Sequence, residues 1–302
     1  MSTQRQRVSE TMPEKFPLAS VQSAVAICLI LAANPYKSLA FELAEKETPI
    51  VGQVPESGPG YPVLADHVTS APLIIKIRIK KANQAPVERA GTPPTGYSRL
   101  LLKAQVIGLI RGEGGVAPQI TYFADVALDS RGKPPRLGKR TFVIFARPGA
   151  RPDLVQLVSR NAQMPWSPVL ESRVRALTGE VLKADSPPRI LGVGDAFFIN
   201  GAVAGESDTQ IFLKTQNEEP VSLSISRRPG QPPHWSVSLG EVVDETAAPP
   251  ARDTLLWYRL VCALPVELPV ESTRGLPVQD AEAASADYRF VMQTLGTCDR
   301  TL

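Results

Sequence analysis

Five short apolar segments alternate with polar turns in the first half of the chain. In the first of them, residues 73–80, isoleucines at alternate positions face one side of a strand, and two lysines and an arginine face the other. Similar segments lie at 100–110, 120–126, 141–146 and 154–158. Short strands joined by turns rich in glycine and proline predict an antiparallel barrel or sandwich.

A different pattern begins after residue 165. Ser167 followed by Pro168 is typical of a helix start, and apolar residues then recur at spacings of three and four. Further strands are predicted at about 196–199, 209–215, 221–226 and 235–239, and further helices at about 250–263 and 278–295. The polar loop 227–233 predicts a β-hairpin between the last two strands. We therefore predict an α+β domain over residues 166–302, with a β-hairpin and C-terminal helices.

The first 40 residues have the pattern of an export signal. Ten uncharged, mostly apolar residues at 24–33 follow three basic residues, and Ser38 and Ala40 supply the small side chains that a signal peptidase accommodates. We expect cleavage after Ala40 and a periplasmic or secreted protein. The alternatives are a buried helix or a retained anchor, although so short a segment does not span a bilayer comfortably. Residues 41–62, punctuated by proline and glycine, are predicted to form a linker.

Composition excludes the extreme classes of protein. A hydrophobic share of 43% in 302 residues is typical of a globular chain, and 29 prolines argue against a long-helix bundle. The formal net charge is +3, and removal of residues 1–40 would leave the chain close to neutral. Any binding of anions must therefore depend on a local cluster of charge.

The three cysteines support the prediction of export. Cys28 would leave with the signal, so Cys262 and Cys298 would remain as one possible pair near the ends of two predicted helices. We predict a disulfide between them, because such bonds persist in oxidising compartments. The alternative is two unrelated buried thiols.

Two resemblances extend this picture. The segments Ile110-Arg111-Gly112, Leu137-Gly138 and Phe142-Val143-Ile144-Phe145 occur in an order that resembles the netrin-like and tissue-inhibitor-like branch of the OB fold. That resemblance implies an OB-like β-barrel domain over residues 63–165. The whole chain, and particularly residues 205–213 and 249–260, resembles an uncharacterised family of exported bacterial proteins, a resemblance that implies no activity.

The residues that usually perform catalysis are sparse. His67, expected in a loop before the first strand, and His234, at the tip of the hairpin, are the two histidines. We interpret both as packed or solvated side chains. No CxxC, HxH or HExxH motif occurs, so we expect no metal and no cofactor. The carboxylates near residues 206–208 and those of Glu241, Asp244 and Glu245 are candidates for an acid–base pair, but the sequence does not give the separation between them.

One segment is strongly basic. Residues 131–151 carry seven cations and no acid, which predicts an anion-binding edge of the barrel. The alternative is a set of solvated loops whose charges pair with acids of the second domain. A second candidate surface is the polar loop 205–210. The candidate binding residues are Arg131, Lys133, Arg136, Lys139 and Arg140 in the first segment and Glu206, Ser207 and Asp208 in the second.

These observations favour a non-enzymatic, exported module that binds or assembles components of the cell envelope. The expected partner is an anionic envelope component or another envelope protein, and not nucleic acid. The alternative is a hydrolase whose site lies between the two domains.

Overall fold

The computed structural model describes residues 58–240 and 248–301, all of which lie in the unit formed by residues 55–302. The predicted signal and most of the predicted linker lie outside the described residues. None of the helices in the described ranges is long and apolar enough to cross a membrane.

The alternating isoleucines of residues 73–80 form the centre of the first sheet. Strand β1 (Leu73–Gln84) pairs antiparallel with β2 (Tyr97–Arg111) on one side and with β4 (Thr141–Pro148) on the other. The full strand order is β3-β2-β1-β4-β5, with β3 at Gln119–Ala127 and β5 at Val155–Leu157. The short strand β6 (Gln163–Pro165), which the sequence did not predict, also pairs with β4.

The first sheet is antiparallel, as predicted, but the prediction of a closed barrel is wrong for the described residues. One parallel bridge, between Thr121 and Leu154, connects β3 with the segment that enters β5. There the N–H of Thr121 donates to the carbonyl of Asp153 at 2.7 Å. Because β5 has three residues, it is too short to complete a ladder with β3.

The first part of β1 is buried on both faces, against different partners. Ile75, Ile77 and Ile79 pack against apolar residues of β2, β3 and β4. On the opposite face, Ile74 packs with Phe145 beneath helices α1 (Tyr61–Ser70) and α3 (Pro168–Leu182). The sequence did not predict α1, because this helix begins inside a stretch rich in glycine and proline. Helix α3 begins as predicted, since the Ser167 hydroxyl accepts the N–H of Leu170 at 3.1 Å.

The second sheet is an antiparallel meander with the order β10-β9-β8-β7. Its strands are β7 (Ile190–Asn200), β8 (Ser207–Thr215), β9 (Val221–Arg227) and β10 (His234–Leu239). The pairing of β9 with β10 confirms the predicted hairpin. Strand β7 begins earlier than predicted because its pairing shifts register between Ile190 and Gly192 and again between Val193 and Ala196, which interrupts the apolar alternation.

Two helices cover the apolar face of the second sheet. Helix α4 (Leu255–Val261) starts later than predicted because the Thr254 hydroxyl accepts the N–H of Trp257 and caps it there. Helix α5 (Val278–Leu295) has the predicted bounds. Two short helices that the sequence did not predict are α2 (Val87–Ala90) and a 3-10 turn at Val270–Thr273.

Covalent and polar contacts hold the C-terminal segment in place. Cys262 and Cys298 form a disulfide with a Cα–Cα distance of 5.1 Å, which confirms the predicted pair. Beyond it, Asp66 of α1 accepts the Tyr258 hydroxyl at 2.6 Å and Nε of Arg300 at 2.7 Å. Burial of Tyr258, together with its bond to Asp66, raises the pKa of this phenol to about 12.

Candidate functional site

Cationic side chains gather where the far end of β1 meets β2 and the loop before β4. Arg78 and Lys80 lie on the exposed face of β1, because Ile77 and Ile79 take the buried positions between them. The loop is fixed beside them through Ile79, whose carbonyl accepts the N–H of Lys139 at 2.9 Å. The N–H of Ile79 in turn donates to the carbonyl of Arg140 at 3.0 Å.

Two lysines face each other across the β1–β2 hairpin. Lys81 and Lys103 are direct partners in the antiparallel register, and both side chains are exposed. Like charges in directly opposite positions of a sheet destabilise it. The Lys81–Lys103 pair therefore lowers the stability of the first sheet.

The loop between β3 and β4 carries five cations, of which Lys139 and Arg140 lie beside β1 through the backbone bonds to Ile79. Asp129 at its start accepts the backbone N–H groups of Arg131 and Lys133, each at 2.9 Å, so this carboxylate orders the loop. At its other end, Leu137 is buried in the core of the first sheet. The exposed cations between these two anchors are therefore presented by a loop with a defined backbone.

We call these residues together the basic surface: Arg78, Lys80, Lys81, Lys103, Arg131, Lys133, Arg136, Lys139 and Arg140. All nine side chains are exposed. None of the ion pairs among the described residues involves any of them. Five of the nine were candidates from the sequence, and the other four lie on β1 and β2.

Among the described residues, the acids of the second half of the chain that form ion pairs do so with cations outside this set. Glu171 binds Lys76 and Arg175, both at 2.8 Å. Asp287, whose side chain is 1% exposed, binds Arg227 at 2.6 Å. The basic surface thus keeps its positive charge, since within the described residues these carboxylates do not reach it.

The remaining two cations of the predicted segment lie beyond the basic surface. Arg147 is exposed on β4 and takes part in none of the ion pairs found in the described ranges. Arg151 binds Asp153 at 3.0 Å.

The second predicted surface, at the start of β8, is occupied by an arginine. Arg228 contacts the carboxylate of Asp208 at 3.0 Å and that of Glu206 at 3.5 Å. It also donates to the carbonyl of Ser207 at 3.2 Å, and the Ser207 side chain is buried. These residues belong to the second sheet, and among the described residues no hydrogen bond or ion pair joins them to the basic surface.

The histidines and the remaining carboxylates have different environments. His67 lies within helix α1 and is buried, so the expectation of a loop position is wrong. His234 is exposed at the start of β10. Glu241, Asp244 and Glu245 lie outside the described residues. In the part of the chain that is described, no group of three or more histidine, cysteine or acidic side chains is arranged to hold a metal ion.

Comparison with known proteins adds no family to this description. No protein family matches the chain, and no curated protein is similar to it. The functional argument therefore depends on the geometry of the sites.

Proposed function

We propose that the protein is an exported binding module whose basic surface holds an anionic component of the cell envelope through its phosphate or carboxylate groups. The observation that carries this proposal is the set of nine exposed cations with no ion-pair partner among the described residues. Three separate segments of the chain contribute them.

Electrostatics supports a ligand at this position. The repulsion between Lys81 and Lys103 is relieved when an anion lies between or above the two ammonium groups. Arginines such as Arg140 add planar, bidentate hydrogen bonding to phosphate or carboxylate oxygens. Since the surface is solvated, its attraction for anions is expected to weaken as salt screens it.

Export is the part of the proposal that depends on the N-terminal pattern. The disulfide between Cys262 and Cys298 is compatible with an oxidising compartment outside the cytoplasm. The expected cleavage after Ala40 would leave a nearly neutral chain, so attraction for anions would come from the basic surface and not from the protein as a whole.

We also propose that residues 63–165 form an OB-like module and residues 166–302 a second module. The order of strands supports the first part, since β1 lies between β2 and β4 while β5 pairs with β4 and approaches β3 through the Thr121–Leu154 bridge. Its two outer ends are thus brought together without a complete ladder.

The direct test is binding of the purified protein to two anionic probes. Vesicles containing phosphatidylglycerol present lipid phosphates, soluble polyphosphate presents the same chemistry without a lipid, and phosphatidylcholine vesicles are the neutral control. Binding to both anionic probes, or to one of them, supports the proposal and identifies the source of the phosphate. Equal binding to neutral and anionic vesicles, with none to polyphosphate, contradicts it.

Matched variants separate the basic surface from net charge. We expect the triple reversal Lys81→Glu, Lys103→Glu and Arg140→Glu to weaken binding at least tenfold. A control triple, Lys183→Glu, Arg189→Glu and Lys214→Glu, changes the net charge equally at exposed positions of the second half of the chain. An equal loss in both triples would contradict a localised site.

A further inference from the structure

A serine and a histidine that are distant in the sequence meet at the edge of the first sheet. Ser159, in the turn between β5 and β6, is exposed, and its Oγ lies 2.9 Å from Nε2 of His67. The imidazole is 7% exposed and packs against Phe145, with ring centroids 5.2 Å apart. The imidazole is therefore held by packing, while the serine belongs to an exposed turn.

The hydrogen bond of Nδ1 determines which nitrogen of the His67 ring carries the proton. Nδ1 of His67 lies 2.6 Å from the carbonyl oxygen of Val63, one helical turn earlier. A carbonyl oxygen can only accept, so Nδ1 carries the hydrogen. In the neutral ring Nε2 then has a lone pair, and the hydroxyl of Ser159 donates to it. This is the arrangement in which a histidine activates a serine as a nucleophile.

The turn that follows the serine presents backbone donors. The N–H of Ala162 donates to the carbonyl of Ser159 at 3.2 Å and closes the turn. The N–H groups of Arg160 and Asn161, both in the exposed turn, donate to no other group among the described residues. Backbone N–H groups next to a nucleophile are the donors that stabilise the oxyanion formed when it attacks a carbonyl carbon.

Ser159 also lines a groove of about 660 Å³ beside β3 and β5, a volume typical of sites for small molecules. Its polar end contains the ion pair of Arg99 with Asp125, at 2.6 Å, and Arg160, which lies over the ring of Tyr97 at 4.8 Å. The apolar side chains that line the rest of the groove include Leu101, Phe123, Leu154 and Leu157. They suit a short hydrocarbon group.

We infer that Ser159 and His67 form a nucleophile–base pair that hydrolyses carboxylic esters with a short apolar acyl group in this groove. His67 Nε2 takes the hydroxyl proton as Oγ forms a bond to the carbonyl carbon. The C–O bond to the alcohol then breaks, and the alcohol leaves with the proton from Nε2. A water molecule, deprotonated by the same nitrogen, attacks the acyl-serine, and the proton returns to Oγ as the acid departs.

The orienting group explains why the substrate is an ester. In a serine–histidine–aspartate triad a carboxylate stabilises the imidazolium that forms during the reaction. Here a neutral carbonyl, that of Val63, orients the ring and provides less stabilisation of positive charge. Alkoxide leaving groups depend less on stabilisation of the imidazolium than amines do.

Ser159 and His67 both lie within residues 63–165, so this site differs from the hydrolase site expected between the two domains. Ester hydrolysis here is an activity beyond anion binding.

The experiment combines labelling with turnover. The purified protein is treated with a fluorophosphonate, the modified residue is located by mass spectrometry, and hydrolysis of p-nitrophenyl butyrate is followed. We expect modification at Ser159, and turnover on the order of 10²–10⁴-fold lower in Ser159→Ala and in His67→Gln. Ser130→Ala, at an exposed serine of the β3–β4 loop, serves as the matched control and should retain full activity.

Two results would overturn the inference. The first is hydrolysis that Ser159→Ala leaves unchanged; the second is labelling of Ser159 no faster than that of Ser130. Either would mean that the hydroxyl only satisfies a buried imidazole. Thermal unfolding of Ser159→Ala within a few degrees of the parent protein shows that a loss of turnover is chemical, and this variant is decisive even where His67→Gln does not fold.

Discussion

Lys81 lies directly opposite Lys103 in the antiparallel pairing of β1 and β2, and neither ammonium group takes part in an ion pair within the described ranges. Most cross-strand charge pairs in sheets are of opposite sign, because like charges in this position repel. The two lysines thus destabilise the sheet by mutual repulsion, whereas together they attract an anion from outside the chain.

Reversing one of these lysines should stabilise the fold. Lys103→Glu converts the like-charged pair into an opposite pair, and we expect the free energy of unfolding to rise by about 0.2–1 kcal/mol. Differential scanning calorimetry at low salt measures the change. Lys214→Glu is the control, since it alters the same net charge at an exposed position of β8. A lower melting temperature for Lys103→Glu would show that the lysines do not repel one another.

Acid stability should depend on Glu171. Its carboxylate accepts hydrogen bonds from Lys76 at 2.8 Å, from the indole of Trp166 at 2.6 Å and from Arg175 at 2.8 Å. These bonds, that from Lys76 foremost, lower the pKa of Glu171 from 4.5 to about 2. A carboxyl whose pKa is lower in the folded state contributes stability above its unfolded pKa, and this contribution disappears as the pH falls through the folded pKa.

Glu171→Gln should therefore reduce stability at pH 7 and weaken its dependence on pH between about 4.5 and about 2. Urea unfolding at a series of pH values measures this, and Glu88→Gln, at an exposed carboxylate of α2, is the control. Parallel pH profiles for Glu171→Gln and the parent protein would contradict the assignment.

The buried carboxylate of Asp287 should contribute to the attachment of α5 to the second sheet. Asp287 is 1% exposed and accepts hydrogen bonds from Arg227 and Thr209. Asp287→Ala leaves the buried Thr209 hydroxyl without its acceptor and the partly exposed Arg227 guanidinium without its ion pair, and we expect a loss of about 1–3 kcal/mol in the free energy of unfolding. Glu282→Gln, on the exposed side of the same helix, should change it little. Chemical denaturation measures the free energy of unfolding of both variants.

Reduction of the Cys262–Cys298 disulfide should loosen the C-terminus first. The bond closes a loop with a sequence separation of 36, for which the chain-entropy description gives about 3–4 kcal/mol. Hydrogen exchange after reduction should rise earliest near residues 296–301, while the hydrogen bond from the Trp257 indole to the carbonyl of Leu295 retains the end of α5. Uniform exchange over the whole chain would show that the disulfide stabilises the fold globally.

Elements with a regular apolar pattern and a clear end signal were predicted correctly from the sequence. Helix α5 has a regular apolar face and ends at Gly296, whose φ of 80° suits glycine, so its bounds could be predicted. Helix α1 could not, because its start at Tyr61 follows a run of glycines and prolines that indicates a linker. Strand β7 was underestimated because Gly192 lies at a shift in register.

In the candidate sites, residues close together in the sequence could be predicted, whereas residues brought together by the fold could not. The loop cations from Arg131 to Arg140 could be predicted from their spacing, but Lys103 joins them only through the register of β1 with β2. The doublet Lys80-Lys81 was a signal that could have been used. His67 and Ser159 are 92 residues apart, and helix α1, which brings the histidine to the serine, was itself not predicted.

The salt dependence of binding tests the central claim most directly. Affinity for phosphatidylglycerol vesicles is measured between about 50 and about 200 mM salt, for the parent protein and for the triple reversal of Lys81, Lys103 and Arg140. We predict that the affinity of the parent protein falls steeply with salt, and that the triple reversal binds weakly with little dependence on salt. Parent affinity that stays constant with salt, or that the triple reversal leaves unchanged, would contradict the proposal that the basic surface holds an anionic ligand.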